Sequence, residues 1–166
     1  RLSAVVVKPL LFPIELHSRM RRLGEAAYPY EGCGVLIGVA VEGVILVSGV
    51  VEGHNLVQDR RRDRYELDPR DILNAEREAR SRGHEVAGFF HTHPDHPARP
   101  SQFDTERAWP GYDYVVIAVD QGRFKEATAW RLEEGEGAER SFGQVPLQVA
   151  GKDRDYNPPG LVAEAG

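Results

Sequence analysis

The chain has little cysteine: Cys33 is the only one among 166 residues. A single cysteine forms no disulfide within the chain, so a secreted scaffold held by disulfides is excluded. The same count excludes a structural zinc site built on four cysteines, or on two cysteines and two histidines. Long apolar runs are also lacking. The longest, 34–41, is far shorter than the roughly 20 residues that a membrane-spanning helix needs.

An excess of basic charge is lacking as well. The formal net charge is −5, which argues against a nucleic-acid-binding protein. No signal peptide is visible, because the apolar stretch 4–7 is too short for one, so we expect a cytoplasmic protein. Against this acidic background four arginines cluster, namely Arg60, Arg61, Arg62 and Arg64. Such a cluster is either a solvated loop or a docking patch for an acidic protein.

What is present is the composition of a globular protein, with 41% hydrophobic and 28% charged residues. Hydrophobic patterning predicts helices from Phe12-Pro13, from Pro69 to Arg82 and after Ser101. It predicts strands at 3–8, 34–41, 44–51, 64–67, 85–90, 113–119 and 124–132. We therefore expect an α/β (α+β) fold, with a sheet flanked by helices.

Turn residues predict where these elements begin and end. Glu42-Gly43 between two apolar runs indicates a β-hairpin. Polar residues at 52–63 predict a long loop, and the prolines of 91–100 predict another. Glycine and glutamate at 133–143 indicate a linker, followed by an edge strand at 144–149. We therefore divide the chain into a domain, 1–132, and a linker with a C-terminal tail, 133–166.

Two histidines and an aspartate have the spacing of ligands to one metal ion. His91 and His93 stand two residues apart at the end of a strand, where residues i and i+2 point to the same side. Asp104 returns to them through the proline-rich loop. Three such ligands with a fourth position open are typical of catalytic zinc. That chemistry needs a carboxylate as base, and Glu31, ahead of an apolar strand and beside glycine, is the candidate.

Each of these residues has a simpler interpretation. Ser101 and Asp104 have the spacing of a helix-capping pair. Asp95 and His96, in the same loop, are alternative ligands, which the flexibility expected of a loop disfavours. Cys33 is an alternative nucleophile, although a small buried thiol is the commoner use of such a residue. The other histidines are expected at the surface or supporting the site, namely His17, His54 and His84.

Taken together, the residues resemble the JAMM (MPN+) metalloprotease family. The resemblance rests on His91-Thr-His93-Pro94, on Pro100-Ser101-Gln-Phe-Asp104, and on Glu31 within Tyr-Pro-Tyr-Glu-Gly-Cys-Gly. Asn55, the stretch 65–69 and the Gly88-Phe-Phe-His lead-in are also similar to the family. The likeness runs from about Val5 to Leu132, and it does not cover the remainder of the chain.

The resemblance implies an MPN-like fold, related to that of cytidine deaminase, with a mixed and mostly antiparallel sheet. It implies one zinc ion per chain, held by His91, His93 and Asp104, with Glu31 as the base and Ser101 stabilising the oxyanion. The implied reaction is hydrolysis of the isopeptide or peptide bond after the C-terminal glycine of a ubiquitin-like or sulfur-carrier protein. Arg60, Arg61, Arg62 and Arg64 are then candidates for binding that partner, and a homodimer stays open.

Three other functions fit the sequence less well. A zinc deaminase needs a P-C-x-x-C motif, which a single cysteine excludes. RadC-like proteins share the His-x-His-Pro and Ser-x-x-Asp stretches, but they carry a helical segment ahead of them. A non-catalytic scaffold that binds ubiquitin-like proteins and keeps a structural metal has no need of Glu31.

Overall fold

The structure, a computed structural model, describes residues 7–134, 140–151 and 161–162. Three helices are distributed among nine strands in these residues. Their order is β1 (Leu10–Pro13), α1 (Ile14–Ala27), β2 (Cys33–Val41), β3 (Val44–Glu52), α2 (Pro69–Ser81), β4 (Glu85–Pro94), α3 (Gln102–Arg107), β5 (Asp113–Asp120), β6 (Arg123–Glu134), β7 (Arg140–Val145), β8 (Leu147–Ala150) and β9 (Leu161–Val162). None of the described helices is long and apolar enough to cross a membrane.

The strands form a single sheet in the order β7-β6-β5-β4-β2-β3-β1-β8-β9. The long pairings of β2 with β3 and β4, and of β6 with β5 and β7, are antiparallel. β4 runs parallel to β5, and the short β1 runs parallel to β3 and β8. Pro146 alone joins β7 to β8, so the sheet must curl to bring these distant strands together. The predicted mixed, mostly antiparallel sheet flanked by helices is confirmed.

Both faces of the sheet are buried, each under its own helix. On the inner face Met20 of α1 packs in one cluster with Phe90. On the outer face Ala75 of α2 packs in another cluster with Phe89. The two phenylalanines are neighbours on β4, and successive strand residues point to opposite faces. Burying such a side chain contributes roughly 1.5–3 kcal/mol, so this strand is held firmly from both sides.

The predicted turn signals are confirmed where special backbone angles are needed. Glu42 and Gly43 have φ of 44° and 83°, as a two-residue hairpin turn requires. Asp68 caps α2 by accepting a hydrogen bond from Arg70 N at 2.9 Å. Gly83, with a φ of 71°, follows the end of that helix.

The start of the chain differs from the prediction. Residues 7–9 are not in a strand, while 3–6 of the predicted first strand lie outside the described residues. β1 instead begins at Leu10, whose N donates to Pro146 O at 2.8 Å. Pro13, expected in the first turn of the helix, ends β1 and precedes α1. The strand forms here because its partners, β3 and β8, come from far along the chain.

The proline-rich loop is shorter than predicted. β4 was expected to end at Phe90, but it continues through His91 and His93 to Pro94. Parallel pairing with β5 extends it, with His91 opposite Val116. The two histidines therefore lie within a paired strand rather than in a loop.

The interpretation of 133–143 as a linker is wrong for its described residues. Glu133 and Glu134 lie in β6, and Arg140–Gly143 lie in β7, which pairs with β6. The predicted edge strand is divided at Pro146, and β8 lies between β1 and β9 rather than at an edge. The predicted strand at 64–67 is reduced to one bridge, between Asn55 and Leu67.

Candidate metal centre

The strand β4 places both histidines on one side of the sheet. His91 is 1% exposed, and its ring stacks on Tyr65 with 4.5 Å between the centroids. The ring of His93 is fixed by a hydrogen bond between Nδ1 and Pro97 O at 2.9 Å. Because a carbonyl oxygen only accepts, Nδ1 carries the proton and Nε2 of the neutral ring presents its lone pair. The two Nε2 atoms lie 3.2 Å apart.

Asp104 reaches the histidines from the first turn of α3. Its N donates to Ser101 Oγ at 3.0 Å, and Ser101 N donates back to Asp104 Oδ2 at 2.8 Å, which makes a complete capping box. The same Oδ2 lies 3.2 Å from His91 Nε2 and 3.3 Å from His93 Nε2. The capping interpretation and the ligand interpretation of Asp104 are therefore compatible.

These three atoms fit a metal ion. Their separations are 3.2, 3.2 and 3.3 Å. A tetrahedral zinc with bonds of about 2.0–2.1 Å places its ligand atoms about 3.3–3.4 Å apart. Two imidazoles and a carboxylate are also a donor set that zinc accepts. His91, His93 and Asp104 thus have the spacing and the chemistry that the predicted ligand set needs.

Glu31 lies beside these donors in the loop that precedes β2. One of its carboxylate oxygens lies within 4.8 Å of ligand atoms of His91 and His93. The residue is 5% exposed, and its Oε2 has no hydrogen-bond partner in the described part of the chain. The pKa of this carboxyl group is raised to about 8, chiefly by burial; His93 opposes the shift and Asp104 adds to it. A carboxyl group made this basic by its surroundings can take up and release a proton near neutral pH.

Two residues outside the predicted set hold Glu31 in place. Thr92, between the histidines, accepts a hydrogen bond from Gly32 N at 2.8 Å, and its N donates to Gly32 O at 2.9 Å. Asn55 Nδ2 donates to Glu31 O at 3.3 Å and to Arg64 O at 3.1 Å. Only the family resemblance points to Asn55 from the sequence, and no sequence signal marks Thr92.

The four members of the arginine cluster have different contacts, and only Arg62 lines a cavity at the site. Arg60 forms an exposed ion pair with Asp63 at 2.6 Å. The guanidinium groups of two others lie over aromatic rings, Arg61 at 4.4 Å from Tyr30 and Arg64 at 3.9 Å from Phe103. Arg62 lines the cavity that contains Glu31.

Two cavities meet at Asp104. The first, here called the polar cavity, has a volume of about 320 Å³ and includes Glu31, His93 and Ser101 in its wall. The second, the apolar cavity, has a volume of about 240 Å³. Its wall includes Tyr65, Leu67, Phe89, Phe103 and Trp109. An extended chain that crosses the metal centre would therefore meet apolar groups on one side and polar groups on the other.

The alternative site residues are placed differently. Burial raises the pKa of the Cys33 thiol to about 12, so it has no thiolate character. The Asp95 carboxylate accepts from Tyr28 OH and from Gln121 N, both at 2.7 Å, and these bonds occupy it away from the centre. His96 is exposed and lines the polar cavity without joining the group of donors.

The three remaining histidines lie apart from the centre. His17, expected at the surface or supporting the site, is instead 1% exposed and packs edge-on against Phe12 and Phe124. Burial lowers its pKa to about 4. His54 lies beside Asp71 and His84 beside Ser48.

Comparison with known proteins agrees with this geometry. Residues 13–133 match the family described as prokaryotic homologs of the JAB domain. The desampylase of Haloferax volcanii is 35% identical over 105 residues, which cover 63% of this chain and 72% of that protein. The desampylase of Pyrococcus furiosus is 38% identical over 72 residues, covering 42% of this chain and 48% of that protein.

Solved structures with the same fold are also known. The solution structure of a Salinibacter ruber protein is 36% identical with a TM-score of 0.60, covering 82% of this chain and 90% of that one. A second solution structure, of a Desulfitobacterium hafniense protein, has a TM-score of 0.72 at 24% identity. It covers 89% of this chain and 97% of that one, and at this identity it shows the fold alone.

Proposed function

Because this chain belongs to the family of prokaryotic homologs of the JAB domain, we propose that it is a zinc-dependent hydrolase of ubiquitin-like protein conjugates. The bond cut is the isopeptide or peptide bond after the C-terminal glycine of a ubiquitin-like or sulfur-carrier protein. The observation that carries this proposal is the buried Glu31 carboxyl group, whose Oε2 has no partner among the described residues, beside three converging metal donors. The name desampylase, which both curated relatives carry, supports the substrate class.

In this proposal His91, His93 and Asp104 hold the zinc ion. Zinc, when bound, acts as a Lewis acid and lowers the pKa of water from about 15.7 to about 7. Glu31 takes the proton of the attacking water and delivers it to the leaving amine. Its position suits both steps, because the carboxyl group lies beside the metal donors, within reach of a water molecule that attacks the substrate there.

Ser101 has the geometry to stabilise the negative charge that develops on the substrate carbonyl. Its Oγ accepts from Asp104 N, so the hydroxyl hydrogen is free to be donated elsewhere. The residue is exposed in the wall of the polar cavity, next to Glu31 and His93. One such donor is worth roughly 3 kcal/mol of transition-state stabilisation.

The burial of the Glu31 carboxyl group also argues against a non-catalytic scaffold with a structural metal. A buried carboxyl oxygen without a partner costs folding free energy of about 1–3 kcal/mol. A structural site gains nothing in return, whereas a hydrolase needs a base at this position.

The proposal is tested with two substrates. One is a ubiquitin-like protein ending in Gly-Gly joined linearly to a short peptide, and the other is the same protein joined to a lysine side chain. Intact mass after incubation with the zinc-loaded chain is expected to show release of the protein ending in Gly-Gly. Cleavage should be absent in Glu31→Gln. Failure of the wild-type chain to cut either substrate, with zinc bound in a 1:1 ratio, would contradict the proposal and favour the scaffold.

A further inference from the structure

The two histidine donors are held in place by different kinds of contact. The ring of His93 is fixed at Nδ1 by its hydrogen bond with Pro97 O. His91 Nδ1 is buried, and it has no hydrogen-bond partner in the described part of the chain. The torsion about the Cβ–Cγ bond of a histidine has only a broad intrinsic preference. The direction in which His91 Nε2 points therefore depends on what packs against the faces of its ring.

An aromatic ring lies nearly flat against His91. The ring centroid of Tyr65 is 4.5 Å from that of His91, and the two ring planes are 19° apart. Rings this close and this nearly parallel are stacked, so a rotation of the imidazole would drive its edge into the tyrosine ring. Tyr65 lines the apolar cavity and His91 does not, so the tyrosine ring covers the imidazole on that side.

Tyr65 is itself held by hydrogen bonds to the residues on either side of it. Asn55 Nδ2 donates to Arg64 O at 3.1 Å. Glu66 N donates to Asn55 Oδ1 at 3.0 Å. One side-chain amide thus bonds the backbone immediately before and immediately after Tyr65. This double contact fixes the backbone from which the ring extends to His91.

We infer that Tyr65 is a positioning residue for His91, and that ring stacking orients this donor as the bond with Pro97 O orients His93. The inference rests on the metal site of the proposed function and adds a residue that is neither a metal donor nor the base. A metal-binding histidine is usually oriented by a hydrogen bond at its other ring nitrogen, and loss of that partner weakens metal binding about 10–100-fold. At His91 the ring of Tyr65, and not its hydroxyl group, has this role.

Variants of Tyr65 separate the ring from the hydroxyl group. Tyr65→Phe keeps the ring and should bind zinc as the wild-type chain does. Tyr65→Leu and Tyr65→Met replace the ring with a flexible apolar side chain, and each should bind zinc about tenfold more weakly. Zinc affinity is measured by competition with a chromophoric chelator, with no substrate present. The matched control is Tyr112→Leu, whose ring packs on Phe89 at 5.3 Å and lines neither cavity at Asp104, so zinc affinity should stay at the wild-type value.

Cobalt provides a second readout, which a loss of stability alone does not change. Co²⁺ accepts the same donors as zinc, and its visible absorption depends on the geometry in which they hold it. The cobalt-saturated Tyr65→Phe and Tyr112→Leu chains should have the wild-type spectrum. Tyr65→Leu and Tyr65→Met should show a shifted absorption band, because the His91 ring is then free to turn.

Three results would overturn the inference and leave the proposed function standing. The first is wild-type zinc affinity with a wild-type cobalt spectrum in Tyr65→Leu or Tyr65→Met. The second is a loss of affinity in Tyr65→Phe as large as in Tyr65→Leu, which would assign the role to the hydroxyl group. The third is an equal loss in Tyr112→Leu, which would show that removing any ring near this strand weakens the site. A wild-type chain that binds no zinc would overturn the proposed function together with this inference.

Discussion

Glu31 lies where burial and a neighbouring carboxylate destabilise the ionised form of its side chain. The carboxyl group is buried beside Asp104, which repels it, and beside His93, which attracts it. Replacing it with glutamine keeps the shape and removes the base. For Glu31→Gln we expect kcat to fall by about 10²–10⁴-fold, with unchanged zinc content and a melting temperature that does not drop. Turnover, metal analysis and thermal unfolding measure these effects, and a wild-type rate would show that Glu31 is not the base.

His93 is a proposed zinc ligand, so replacing it tests metal binding, whereas replacing Glu31 tests the base. In His93→Ala, one donor is lost and Pro97 O loses its partner. We expect this variant to lose both zinc and activity, unlike Glu31→Gln. The matched control is His54→Ala, because His54 is exposed and lies beside Asp71, away from the donors. Metal analysis after dialysis should find zinc in the control and none in His93→Ala. Retention of zinc by His93→Ala would remove this histidine from the ligand set.

His17 gives a prediction about stability rather than catalysis. Burial lowers its pKa to about 4, against 6.5 for an ordinary histidine, so the unfolded chain binds a proton more readily than the folded one. This histidine therefore stabilises the fold fully above pH 6.5, and the contribution is lost as the pH falls from 6.5 towards 4. Between pH 7.5 and 5 the loss is about 2 kcal/mol of unfolding free energy. Urea unfolding of His17→Gln should show a pH dependence smaller by that amount, and an unchanged dependence would contradict it.

At the scale of single residues, the sequence predicts which residues form the candidate metal site better than it predicts how deeply a residue is buried. The spacing of His91, His93 and Asp104 is visible in the sequence because a strand fixes which residues share a side. The burial of Glu31 and His17 is not visible, because it depends on elements that fold over them from elsewhere in the chain.

Among the elements, β4 shows that the residues near a strand's end do not always predict where the strand ends. The prolines after Phe90 predict a loop, yet parallel pairing with β5 carries the strand to Pro94. Its partner lies about twenty-five residues further along, since His91 pairs with Val116. Hairpins and helix caps, as at Gly43 and Asp68, are predicted correctly because neighbouring residues determine them.

The loop between β3 and α2 depends on Asn55. Its side chain donates to Glu31 O and Arg64 O, and it accepts from Val57 N and Glu66 N at 3.0 Å each. Asn55→Ala should therefore lower the unfolding free energy by about 1–3 kcal/mol and also reduce kcat, because the loop supports Glu31. Gln58→Ala, exposed in the same loop, should change neither quantity. Urea unfolding and turnover would contradict this role of Asn55 if both variants behaved alike.

The described residues form one curled sheet in which strands from opposite ends of the chain pair with each other. Pairing of β1 with β8 joins residues near 10 to residues near 147. No pattern among neighbouring residues predicts a contact between such distant parts of the chain. The family resemblance, by contrast, was visible in the sequence and is confirmed by the match over residues 13–133. It could be seen because its residues have fixed chemical roles, whereas many sequences satisfy the packing that closes the sheet.

The most direct test of the central claim, metal-dependent hydrolysis after Gly-Gly, is one titration. The purified chain is stripped of metal with a chelator and zinc is returned in steps, while cleavage of a ubiquitin-like protein with a Gly-Gly-Xaa C-terminus is followed by intact mass. We predict no cleavage by the stripped chain, and a rate that rises with zinc and levels off at one ion per chain. Cleavage by the stripped chain at the full rate, or none at one bound zinc per chain, would contradict the account.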